Sequence, residues 1–174
     1  MLDPTRIIGL IACLFALVSC GIAWAIVRGA AHRGRLAAAL AVFEAALFLD
    51  MAFNVRWQLH DLLENEAIAR SLYGQRFGPQ HVALSLIGCA LAAGMGLALW
   101  RLRGRAGASL AVCGGILSLS CWCVEVISLH AVDAVLYRTV HGVMFVSLIW
   151  IVCSLMTGVG ILWDALAFRT HPPR

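Results

Sequence analysis

Apolar residues run along this chain in five long stretches, at positions 7–27, 36–58, 82–102, 108–130 and 140–163. Each approaches the ~20 residues that a helix needs to cross about 30 Å of hydrocarbon. The pattern predicts an all-α integral membrane protein, a single domain built as a bundle of five transmembrane helices. The second stretch is the shortest in purely apolar terms. Its helical periodicity continues through Asn54, Trp57 and Asp61, which predicts one long helix over 36–70 whose far end leaves the membrane. Residues 59–80 then form a short amphipathic cap, broken by Gly74, Gly78 and Pro79. Four spans are the alternative: the polar stretch 133–141, with Asp133, Tyr137, Arg138 and His141, could join the last two apolar stretches into a bent hairpin that does not fully cross. The first apolar run is too long for a signal-peptide core and lacks a clear small-residue cleavage site, so it is expected to stay as the first span.

Composition supports the membrane reading and narrows the classes. The chain has 62% hydrophobic and 13% charged residues, with a mean hydropathy of +0.90. Soluble domains average about 45–50% apolar and about 25% charged. A water-soluble globule, a disordered chain and a nucleic-acid-binding domain are excluded on this ground. The net charge of +4 is too small and too dispersed for a nucleic-acid footprint. All 13 basic residues are arginine. Arg28, Arg33 and Arg35, then Arg101, Arg103 and Arg105, occupy alternate loops without acids, and Arg169 and Arg174 lie in the tail. Arginine-rich loops face the cytoplasm. The expected orientation is N-terminus outside and C-terminus cytoplasmic, in a bacterial inner membrane.

The seven cysteines all fall within apolar stretches and read as small, soft packing residues. Cys121 and Cys123 form CxC, and side chains two apart on a helix point about 200° from each other. That geometry argues against a thiol oxidoreductase.

With this topology the polar residues converge on the outer face. Glu44 lies near mid-membrane, while Asp50, Asn54, Arg56, His60 and Asp61 rise from it. His81 opens the third span, Glu125, Ser128, His130 and Asp133 close the fourth, and His141 opens the fifth. Asp50, Asn54, Trp57, Asp61 and Glu64 are spaced 4, 3, 4 and 3, which puts them on one helix face. Ser118, Cys121, Glu125 and Ser128 form a second such face. Ionisable groups in lipid turn toward the bundle or a wet cavity, so the two stripes are expected to share one. Arg56 is expected to pair with an acid of another span, Asp133 or Glu125. Gly88, Ala92 and Gly96, and Gly9, Cys13, Ala16 and Cys20, are stripes that permit close helix approach.

Several chemistries fit. A zinc, iron or manganese site would draw on His60, Asp61, His130, Asp133 and His141, since imidazole and carboxylate suit these metals. A b-type haem held by two of the outer histidines is a lesser candidate. A metal-free enzyme acting on a lipid-like substrate would use Glu125, His130, Asp133, Asp50 and Asn54, with Glu125 as acid and the His130–Asp133 pair as base. The non-catalytic alternative is an accessory or assembly subunit of a larger membrane redox complex, or a homo-oligomer, within the lipid bilayer.

Overall fold

The structure is a computed structural model and describes residues 4–71, 74, 77–128, 130–140 and 142–170; at His130, Ala131 and Val140 it gives the backbone alone. Among the described residues the elements are α1 (Pro4–Val27), α2 (Ala31–Phe53), α3 (Val55–Ala69), α4 (Phe77–Arg101), α5 (Ala106–Ile127), α6 (His130–Leu136) and α7 (Phe145–Thr170). A two-residue antiparallel hairpin, β1 (Thr139–Val140) and β2 (Val143–Met144), precedes α7. Five of the helices, α1, α2, α4, α5 and α7, are long and apolar enough to cross a membrane. The protein is thus an all-α membrane bundle, and α7 is a complete fifth span.

Many large apolar side chains face outward, and small or polar residues share the interior with a few large ones such as Leu47, Trp150 and Ile161. On α1, Ile11, Leu14, Val18 and Ile22 are exposed, whereas Gly9, Cys13, Ala16, Cys20 and Ala23 are buried. Lipid tails are as apolar as leucine, so burying leucine gains little here. Close backbone approach and interhelical polar contacts hold such bundles instead.

The tightest packing joins α1 to α7, α5 to α7 and α1 to α2. At the α5–α7 crossing, a Cβ on Gly107 would meet the Gly160 carbonyl oxygen at 2.7 Å, and one on Gly160 would meet the Ala111 nitrogen at 2.6 Å. Both obstacles are backbone and cannot swing aside. This stripe of small residues was not singled out by the sequence pattern. The Gly9–Cys20 stripe is used within the chain, but Gly88 and Gly96 face nothing within 4 Å. Helix α4 has no buried residue and leans on α5 alone among the main contacts.

The expected continuous helix over 36–70 is instead broken at Asn54, which sits in the left-handed region at φ 60° and ψ 38°. Asparagine tolerates this conformation better than most residues. The break ends α2 at Phe53, so the expected single polar face from Asp50 to Glu64 does not form as drawn.

At the opposite end of the bundle, buried Asp164 of α7 ties the first turn of α2 to the loop before α5. Arg105 grips its carboxylate with a fork, Nε to Oδ1 at 3.2 Å and Nη2 to Oδ2 at 2.6 Å. Arg33 reaches the same carboxylate at 3.1 Å and also donates to the Asp164 carbonyl at 3.0 Å. Its guanidinium lies over the Phe168 ring.

Replacing Gly160 by alanine is expected to destabilise the bundle by about 1–3 kcal/mol, the usual cost of overpacking. The check is the unfolding midpoint in detergent, and Gly88→Ala is expected to leave that midpoint unchanged.

Candidate functional site

The site grows out of the break at Asn54. Ending a helix leaves carbonyls without partners, and starting another leaves N–H groups without them. Here the sequence repairs both sides. Arg6, at the start of α1, donates from Nε to the Met51 carbonyl at 2.8 Å and from Nη2 to the Ala52 carbonyl. Gln58 donates to the Phe53 carbonyl at 3.0 Å. Asp50 Oδ1 accepts the backbone N–H of Arg56 at 2.7 Å, so it caps the first turn of α3 from the turn before the break.

The kink also folds the Arg56 side chain inward. Its Nη1 lies 3.6 Å from Asp50 Oδ2 and 3.3 Å from Glu125 Oε2 on α5. Nη2 donates to the Met51 sulfur at 3.1 Å, and the guanidinium lies 5.5 Å from the ring centre of Trp150 on α7. One buried cation thereby joins α2, α3, α5 and α7. Two carboxylates share it.

Arg56 and Glu125 of this triad help to line a cavity of about 560 Å³, with Thr5, Arg6, Asn54, Trp57, Tyr137, Met144 and Val146 as the rest of its wall. The wall combines cations, a carboxylate and hydrogen-bonding groups with apolar surface. Trp57 packs on Tyr137 with ring centres 5.6 Å apart. Two buried polar atoms of the wall carry no hydrogen bond, Arg56 Nε and Tyr137 OH, while Arg56 Nη1 and Asp50 Oδ2 have only the ion pairs above. Burial and the nearby Glu125 and Asp133 carboxylates push the Tyr137 phenol above its ordinary range.

Among the expected acid–base residues, Glu125 and Asn54 line this cavity, and Asp50 stands behind its wall, paired with Arg56. Asp133 is held differently: Oδ2 accepts from Ser128 Oγ, and Oδ1 is buried without a donor. Of the expected ligands, His60 and Asp61 lie together with Glu64 on α3, one ligand atom from each within 4.8 Å of the others. The His60 ring pairs with the Val126 carbonyl through Nδ1 at 3.1 Å and places Nε2 3.7 Å from Glu64 Oε2. The His130 side chain and the whole of His141 lie outside the described residues.

Arg6, Arg56 and Tyr137 complete the wall, and none of the three is among the candidate site residues that helix spacing picks out. Arg56 had been expected to pair across spans, and Glu125 is that partner. The signal for the rest was weak, because nothing in the apolar pattern announces a left-handed residue at position 54. No described protein family, curated protein or solved structure matches the chain.

Two outcomes follow for the triad. Arg56→Gln leaves two buried carboxylates without their cation, so a loss of about 3–5 kcal/mol is expected. Unfolding by denaturant in detergent reads it, and adding Glu125→Gln to the same variant is expected to restore part of the loss. For Tyr137 the sign is that of an acid whose folded form holds its proton longer. Its contribution is full below the ordinary value of 10 and is lost as pH rises beyond it. Tyr137→Phe is expected to flatten the alkaline limb of a melting-midpoint profile.

Proposed function

We propose that this cavity receives the polar head of a lipid-like molecule dissolved in the bilayer, and that the protein is a small membrane enzyme working on that head. The observation that carries this reading is the convergence of Arg56, Glu125 and Tyr137 on one cavity, where Arg56 Nε and the Tyr137 hydroxyl carry no hydrogen bond. Buried polar groups are normally hydrogen-bonded, so an unfilled set invites a polar occupant. Trp57, Met144 and Val146 supply the apolar part of the wall, as in small-molecule sites generally. Glu125 and Tyr137 are the groups able to exchange a proton with the bound head, and Arg56 would hold any negative charge that develops there. Asp50 positions Arg56 and does not reach the wall. In this reading the cavity faces outward from a bacterial inner membrane, with the arginine end in the cytoplasm.

A second reading rests on His60, Asp61 and Glu64. The Val126 carbonyl orients the His60 ring in the manner of a ligand supported from behind, and the three could bind zinc, iron or manganese. The subunit reading draws on α4, whose lipid-facing side is uncovered along its whole length.

The test is to purify the full chain in mild detergent, extract it with solvent and identify retained small molecules by mass spectrometry. A lipid-like compound retained by the wild type and depleted in a folded Tyr137→Phe variant is the expected result. Identical extracts from both would sink the reading. Metal content measured on the same sample, beside His60→Ala, decides the second reading.

A further inference from the structure

Glu44 lies apart from the cavity and is unused by the chemistry above. It sits on α2, six residues before Asp50, which is about 9 Å farther from the cap along the helix. Its exposure is 0%, and neither carboxylate oxygen has a hydrogen-bond partner. Thr157 of α7 faces it, but that hydroxyl donates to the Cys153 carbonyl at 3.1 Å. The titratable groups bearing on this carboxyl are the thiols of Cys13 and Cys20 on α1 and Cys153 on α7; α5 contributes Ser118 beside Cys153. Asp50 and Arg56 stand at the cap end of the same region and bear on Cys13. No ion pair reaches Glu44 among the described residues.

One face of α7 connects this carboxyl to the cavity. Ser147, Trp150, Ser154 and Thr157 are spaced 3, 4 and 3, all buried, and therefore stacked along one face. Trp150 of this face lies against Arg56 of the cavity wall, and Thr157 reaches Glu44. Ser147 Oγ carries no hydrogen bond, while Ser154 stands beside the Cys13 thiol, Ser118 of α5 beside the Cys153 thiol and Trp150 beside the Glu125 carboxylate. Hydroxyls both donate and accept, so a row of them can pass a proton along with bridging water. The same face closes toward the arginine end. There buried Ile161 intervenes, and Asp164 is already held by Arg33 and Arg105. The row therefore meets the cavity wall at its cap end only, through Trp150.

We infer that Glu44 is a proton-binding site in the membrane core, reached from the cap-end cavity along the hydroxyl row of α7 and sealed from the opposite end. A lone acid in the middle of a bundle is costly. A one-sided row of hydroxyls leading to it is the arrangement of a group that loads and unloads from one side.

The test is infrared difference spectroscopy of the full chain in liposomes, taken across a pH series and after transfer to D2O. A carboxyl C=O band that titrates, shifts in D2O and is lost in Glu44→Gln is expected. Glu44→Asp should move the band and keeps the experiment decisive if the glutamine variant fails to fold. A Ser147→Ala, Ser154→Ala double variant should keep the band but slow its D2O shift. No titrating band from Glu44, or a band that ignores D2O, overturns the site. A double variant that exchanges as fast as wild type overturns the route.

Discussion

The cap end of this bundle depends on the guanidinium of Arg56. In a membrane, a broken helix has no bulk water to satisfy its open backbone groups. The chain breaks α2 at Asn54 and then closes the wound with its own side chains. Asp50 serves twice, as the cap of α3 through one oxygen and as a counter-charge through the other. Arg56 carries the connection to Glu125 on α5 and to Trp150 on α7. Arg6 brings α1 to the exposed carbonyls of α2. The cavity exists because these groups were drawn together around an interruption.

The two ends of the molecule solve related problems with opposite arithmetic. At the cap end one arginine lies between two acids. At the other end one acid, Asp164, lies between two arginines. Each arrangement joins helices distant in sequence by charge-assisted contacts, which are the stronger class of hydrogen bond. Between them the core relies on small residues and hydroxyls, and the backbones of α5 and α7 touch at Gly107 and Gly160.

Much of this was legible from the chain. Hydropathy alone gave the class and the five spans, because hydrocarbon thickness leaves few other solutions. The convergence of Asp50, Asn54 and Glu125 followed from alternating spans and needed no contacts. Two things escaped. The break at Asn54 is a single dihedral choice that leaves no trace in hydrophobic periodicity, yet it decides where Arg56 points. Asp164 adjoined the end of the expected fifth span and drew no notice. It could have been found by extending the 3–4 spacing of Ser147, Trp150, Ser154 and Thr157 through Ile161. The roles of His130 and His141 rest on side chains beyond the described residues, so the metal set is legible only in its His60 and Asp61 part.

The central position of α7 has a consequence for how the molecule is made. It packs against both α1 and α5, and it contributes the hydroxyls beside Glu44, the indole beside Arg56 and the acid between the arginines. It also follows the other four spans in chain order and so leaves the ribosome after them. Until it arrives, Glu44 and the Arg33 and Arg105 side chains lack their principal surroundings. The four spans before it therefore enter the bilayer without their shared packing partner, and α7 acts as the keystone that commits them to the native form.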